Sequence, residues 1–258
     1  MKPSDVSNYF LFYFWVSFLL FGLNNDAESR DLKASLGYLP KILESPDEGT
    51  FVDLVKAIDS TYSDGQINIK VYPFPRSINN VIAGNADFHL PMLRNNIVSE
   101  ESLPYRYASA KMGKVVIVLY SNRDNPITKS MIDEALSTKE VFPYLIESNG
   151  GMQEYYKFPL KFSSAIEHSM KMVSSKRVGA ALYAQEEGDF ILKKLKIRNI
   201  HRSLYGVFDD VIVIPKSPAG DEIDRILSEK IAELKSTGHW QYLHLKVHQP
   251  YQDWQPYD

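Results

Sequence analysis

The chain has 258 residues, 44% of them hydrophobic and 24% charged, with 29 Lys and Arg against 32 Asp and Glu and a formal net charge of −3. That length allows one large domain or two small ones with a real core, and the composition excludes wholesale disorder. The slight acidic excess argues against nucleic-acid binding. The absence of cysteine excludes disulfide scaffolds, cysteine nucleophiles, Cys-ligated metals and a lipid anchor on an N-terminal cysteine.

Residues 9–23 read YFLFYFWVSFLLFGL, an uncharged apolar run. A membrane span needs about 20 such residues, so the run is expected to be the core of a secretory signal. The expected leader is 1–27, cut after Ala27, with an uncleaved anchor as the alternative. Downstream, Leu32, Ala34 and Leu36 alternate with Lys33 and Ser35 as a strand ending at Gly37. Phe51, Leu54, Val55 and Ile58 then fall at helical spacing, with Asp53 in the first turn. Ile67, Ile69 and Val71 predict a second strand, stopped by Pro73 and Pro75. A second helix carries Ile78, Val81 and Ile82 and closes at Gly84. This alternation of strand and helix predicts an α/β layer with parallel strands.

The run VVIVLY at 115–120 predicts a strand buried on both faces. A helix is expected near 129–137 and a short strand at 142–147, followed by a tight loop of Ser148, Asn149, Gly150 and Gly151. Ser164 and Glu167 have capping-box spacing before Ile166, Met170 and Val173. Strands are expected at 180–183 and 211–214, and a final helix runs from Ile223 to a stop at Gly238. Two strong apolar strands thus bracket a middle segment with its own αβ pattern. The chain is expected to cross twice between two lobes: 28–114 and 208–258 form lobe 1, and 115–207 form lobe 2. No flexible linker separates them, which favours lobes packed over a cleft.

The motifs of hydrolases, zinc proteases, dinucleotide binders and P-loop NTPases are missing. No catalytic residue, metal or cofactor is expected. His244 and His248 are four apart with no acidic residue beside them, so solvated surface histidines are expected rather than a metal site. Asp209 and Asp210 are neighbours on a strand and face opposite ways, which argues against a catalytic dyad.

Several short motifs follow one another in order. Gly49 to Leu54 reads GTFVDL; Arg76 precedes Gly84, Ala86 and Asp87; Pro91 to Arg94 reads PMLR; Val178 to Leu182 reads VGAAL; and Gly238-His239-Trp240 precedes a tail reading QPYQDWQP. This series resembles a divergent subgroup of the extracellular solute-binding proteins of family 3, the amino-acid-type periplasmic binding proteins. The resemblance implies a two-lobed type II periplasmic binding fold. Each lobe is then a mostly parallel sheet flanked by helices, with the ligand in the cleft between. It implies a monomeric periplasmic protein that captures a small polar ligand, amino-acid-like or another carboxylate, for an ABC-type transporter. The alternatives are a sensor or accessory subunit of a membrane receptor, or a cyclohexadienyl dehydratase-like enzyme on the same fold. Two departures stand out. The family's downstream carboxylate-binding arginine is replaced by Ser99-Glu100-Glu101, and Ala184 falls near the place of its ammonium-binding aspartate.

The candidate ligand-binding residues are Tyr38, Phe74, Arg76 and Arg94 in lobe 1, and Ser148, Asn149, Gly151 and Glu186 in lobe 2. Arg76 and Arg94 stand where parallel strands end, the usual ligand edge of an open α/β sheet, and an arginine fork suits a carboxylate. For a cationic ligand the residues to examine become Glu186, Glu187 and Asp209.

Overall fold

The computed structural model of the protein describes residues 30–257, so the leader expected at 1–27 lies outside the described residues. β1 (Leu32–Gly37) forms where the alternation predicts it. After it come α1 (Thr50–Asp59), β2 (Ile67–Tyr72), α2 (Phe74–Ile82) and β3 (Phe88–Leu93). β2 and β3 flank β1, both parallel to it. α1 buries Phe51, Leu54, Val55 and Ile58, the face its spacing predicts, and keeps Asp53 in its first turn. Gly49 precedes it at φ 133°, and a Cβ there would stand 2.2 Å from the Ile42 carbonyl oxygen. Only glycine lets the loop close onto this helix start.

The chain continues through β4 (Tyr105–Tyr107), β5 (Gly113–Asn122), α3 (Lys129–Thr138), β6 (Ile146–Ser148), β7 (Leu160–Phe162), α4 (Ile166–Ser174) and β8 (Ala180–Ala184). It ends with α5 (Gln185–Leu195), β9 (Ile200–Pro215), α6 (Pro218–Ser236) and α7 (His239–Val247). The strands form one sheet in the order β2-β1-β3-β9-β5-β8-β6-β7, with β4 also on β9. β6 is parallel to β7 and β8, whereas the pairings made by β5 and β9 are antiparallel. β9 serves both halves. Residues 200–210 pair with β5, and residues 210–215 pair with β3 and β4, Asp210 serving both sides. Pro91 has no N–H to give the ladder, and the β3–β9 register shifts between His89 and Met92.

Three apolar clusters hold the sheet. α1, α6 and α7 cover one face of the first half, and α4 and α5 cover β5 and β8 in the second. The third cluster joins the halves, with Met92, Tyr105 and Tyr107 from the first and Tyr155, Tyr156 and Phe158 from the second.

Several local expectations are corrected. Residues 142–145 lie outside the ladder, and only Ile146–Ser148 is strand. The capping box at Ser164 does not form, because the cap residue is Ala165 and no side chain caps the helix. Gly238, at φ 75°, does stop α6 as its position predicts, and a further helix, α7, follows it. His248 is not a solvated surface residue. It is buried, 2.8 Å from Asp210, with His244 stacked on it at 4.6 Å.

After His248 the tail crosses to the second half. Gln185 bonds the Pro250 carbonyl and the Gln252 amide, and Glu186 accepts from the Gln249 amide. Residues expected to end lobe 1 therefore spend their hydrogen bonds on elements of 115–207.

Candidate functional site

The C-terminal ends of β1, β2 and β3 lie on one edge, because the three strands are parallel. The edge carries Tyr38 after β1, Phe74 and Arg76 at the start of α2, and Arg94 after β3. Tyr38 extends the pairing with β2 through its amide, and its side chain is exposed. Phe74 is half-buried, edge-on to His89 at 5.1 Å. It packs so close to Gly37 that a Cβ there would stand 2.4 Å from the ring. Arg76 is exposed and lies over the Tyr72 ring at 5.1 Å.

Arg94 is held from three sides. Its amide donates to the Asp209 carbonyl at 2.9 Å. Its guanidinium donates to Glu100 at 2.8 Å and stacks over the Tyr107 ring at 4.6 Å. Glu100 also accepts from the Tyr107 amide at 3.1 Å, which fixes the carboxylate. Arg94 further borders a cavity of about 610 Å³ shared with Lys111, Lys114, Lys235, Trp240 and His244.

In the second half, the loop after β6 faces this edge. Asn95 donates through Nδ2 to the Glu154 carbonyl at 3.1 Å, and the Tyr155 hydroxyl donates to Met92 Sδ at 3.3 Å. Asn95 is itself set by its side-chain oxygen, which accepts from the amides of Ile97 and Val98. These contacts close the gap between the two strand-end loops. A short 3-10 turn, Gln153–Tyr155, presents Glu154 and Tyr155 there.

The sequence-predicted residues of the second half divide. Asn149 and Gly151 stand in the loop leading to that turn, with Gly151 exposed at φ 85°. Ser148 is buried, and its hydroxyl donates to the Leu182 carbonyl at 2.7 Å. Glu186 holds the C-terminal tail, and burial raises its carboxyl above the usual range. Of the acids named for a cationic ligand, Asp209 pairs with Lys114. Glu187 is buried, one carboxyl oxygen has no partner, and burial followed by the Glu186 charge pushes it up to about 8.

Met92, Asn95, Glu100, Glu154 and Tyr155 were not among the predicted site residues. Only Glu100 leaves a signal in the sequence, since it falls where the resembled family carries an arginine. Among the described residues no group of three or more His, Asp or Glu is arranged to hold a metal, and no helix is long and apolar enough to cross a membrane.

No protein-family model matches the sequence, and a search of curated proteins finds no match. Solved structures match the fold well. A histidine kinase sensor domain with similarity to periplasmic binding proteins superposes with a TM-score of 0.67 at 16% identity, covering 85% of this chain and 96% of that one. The GluR0 ligand-binding core from Nostoc punctiforme, in complex with L-glutamate, gives 0.63 at 15% identity over 85% and 100%. The substrate-binding protein of an amino acid ABC transporter gives 0.61 at 16% over 86% and 100%. The fold is that of the two-lobed periplasmic binding proteins.

Proposed function

We propose that the protein is a periplasmic solute-binding protein. In this reading it captures a small polar, amino-acid-like ligand between its lobes and delivers it to an ABC-type uptake transporter. Lobe 1 is 28–114 with 208–258, lobe 2 is 115–207, and the leader 1–27 directs export. The observation that carries the reading is the meeting of two strand-end loops through Asn95–Glu154 and Met92–Tyr155, beside an arginine with part of its side chain in solvent. Similarity to a transporter's substrate-binding protein and to a core holding L-glutamate supports a small-molecule ligand. The chain is read as a binder rather than an enzyme, so prephenate and arogenate should not be turned over.

A thermal-shift screen tests this. A ligand that binds only the folded chain raises its melting temperature. The panel is amino acids, dicarboxylic acids, polyamines, methylated ammonium compounds and short peptides. At least one class should raise the melting temperature in proportion to the logarithm of its concentration. A flat response across the panel would sink the binding reading.

A further inference from the structure

The cavity beside Arg94 gathers more cationic groups than its carboxylates answer. It has a volume of about 610 Å³ and lies against residues 108–114, which lead into β5, the end of α6 and the first turns of α7. Tyr38, Phe74, Arg76, Asn149 and Gly151 do not border it, so it is distinct from the candidate ligand edge. Four cationic side chains line it: Arg94, Lys111, Lys114 and Lys235. Among the described residues only Asp209 and Asp210 bring carboxylates to it. Both are already engaged. Asp209 pairs with Lys114. Asp210 is buried, accepts from the Met92 amide at 3.2 Å and meets His248 Nε2 at 2.8 Å. Arg94 is neutralised from outside the cavity by Glu100.

Lys111 and Lys235 remain, and among the described residues neither pairs with a carboxylate. Lys235 is placed by the fold rather than loose in solvent. Its Nζ donates to the Lys111 carbonyl at 2.9 Å and lies over the Trp240 ring at 4.7 Å. That leaves two of its three N–H groups for a ligand. Burial, followed by the Lys111 charge, lowers the Lys235 ammonium from its ordinary range. The two lysines therefore repel each other with no acid to relieve them. His244 stands on the same wall, and its Nδ1 is buried without a hydrogen-bond partner. Burial first, then His248 and Lys235, lower its ring as well.

We propose that this cavity is a binding site for a multivalent oxyanion of the phosphate type, held by the ammonium groups of Lys111 and Lys235 with Lys114 as a further contact. The chemistry favours phosphate over a carboxylate. The one guanidinium fork at the cavity is taken by Glu100, and ammonium groups act on phosphate oxygens as point charges that need no planar match. The volume admits a diphosphate as readily as a single phosphate. Bound there, the anion removes the repulsion between the lysines and bridges the segment before β5 to the end of α6. The site stands independently of the cleft reading.

Thermal shift and titration calorimetry of the purified protein test it, with inorganic pyrophosphate and inorganic phosphate as probes. Pyrophosphate should raise the melting temperature in proportion to the logarithm of its concentration. It should bind more tightly than phosphate, with an affinity that falls as sodium chloride is raised. Lys111→Gln removes an exposed charge without touching the core, and should weaken pyrophosphate by about tenfold. Lys70→Gln removes an exposed lysine on β2, away from the cavity, and should leave the affinity unchanged. Equal losses in the two variants would mean that pyrophosphate answers to overall charge, and would overturn the site. Native affinity in Lys111→Gln, or no binding by the native chain, would overturn it too. The cleft is judged separately. A ligand found in the thermal-shift panel should bind equally well with pyrophosphate present, and competition between them would reject a second site. Pyrophosphate binding that Lys111→Gln weakens, beside a panel without response, would reject the cleft reading and leave this site standing.

Discussion

Arg202 on β9 has none of its side chain exposed, while Arg94 after β3 keeps 34% of its side chain in solvent. Arg202 donates through Nε and Nη2 to the two oxygens of Asp189, both at 2.7 Å. Its Nη1 donates to the carbonyls of Trp254 and Gln252 at 2.6 and 3.0 Å. Its planar head lies 4.4 Å from the Trp254 ring. Asp189 is completed by the Tyr120 hydroxyl and the Trp254 indole N–H. Arg94 has one carboxylate and one ring. A buried charge must have its full set of partners or the fold loses several kcal/mol. A half-exposed charge can leave donors unfilled because water fills them. Partner saturation therefore separates the arginine that ties the tail to α5 and β9 from the one that stands at the strand-end edge.

The strongest way to break that contrast is to remove Arg202. Arg202→Met keeps much of the volume and strands Asp189 as a buried, partly unpaired charge. Stability measured by urea denaturation should fall by about 3–5 kcal/mol. The tail from Gln249 onward should also become more accessible to protease, since its carbonyls lose their donor. A loss under about 1 kcal/mol would show that the tail is not held by this residue.

The two arginines also differ in how far the sequence reveals them. Arg94 is legible because it follows a short strand whose apolar residues are local, so its place at the C-terminal edge of the parallel strands follows from position alone. The partners of Arg202 come from α5 and from a tail about fifty residues on, and no local pattern links them. The first half of β9 hides for the same reason. Its residues 200–210 mix polar and apolar types and become strand by pairing with β5, whereas VVIVLY within β5 is contiguous and apolar. α5 opens with QEEGD, and Gly188 interrupts its helical signal. The structure supplies the reason for that glycine: a Cβ there would stand 2.3 Å from the Tyr120 hydroxyl. Glu154 and Tyr155 reach Asn95 and Met92 only once segments about sixty residues apart are folded together. His248 reads as a surface residue until Asp210, 38 positions earlier, is folded against it.

A second test uses Glu187, which lies two residues before Asp189 on α5 and is buried without the same set of partners. Its carboxyl is pushed up to about 8 from the ordinary 4.5, so the folded chain holds a proton that the unfolded chain releases. The stability this gives is complete below pH 4.5 and is lost as pH rises towards 8. His89 has the opposite sign. Burial lowers it from 6.5 to about 4, so its contribution is complete above 6.5 and is lost as pH falls towards 4. From pH 4.5 to 6.5 the two slopes offset one another, and above 6.5 the Glu187 loss remains. Glu187→Gln stays neutral at every pH. Its stability relative to the native chain should improve by about 1.4 kcal/mol per pH unit between 6.5 and 8. Parallel curves for the two proteins across that window would mean that Glu187 is ionised in the fold, and that saturation of partners does not govern α5.

The smallest expected effect concerns Arg94 and Glu100. Their pair is short, but 34% and 41% of the two side chains are exposed, so water and salt screen it. Exposed pairs of this kind contribute about 0–1 kcal/mol. Arg94→Ala should therefore cost less than about 1 kcal/mol, far below the loss at Arg202. A cycle of Arg94→Ala, Glu100→Ala and the double variant should give a coupling energy under about 1 kcal/mol. Glu100 is the more exacting member of the cycle. Its removal frees the Tyr107 amide as well as Arg94, so its single variant should cost more than Arg94→Ala. It should also free Arg94 to pair with an anion, so glutarate should bind the Glu100→Ala variant more tightly than the native protein. If the coupling instead exceeds about 2 kcal/mol, the pair is a structural tie despite its exposure. Arg94 would then belong with Arg202, and exposure would fail as the criterion that separates the two.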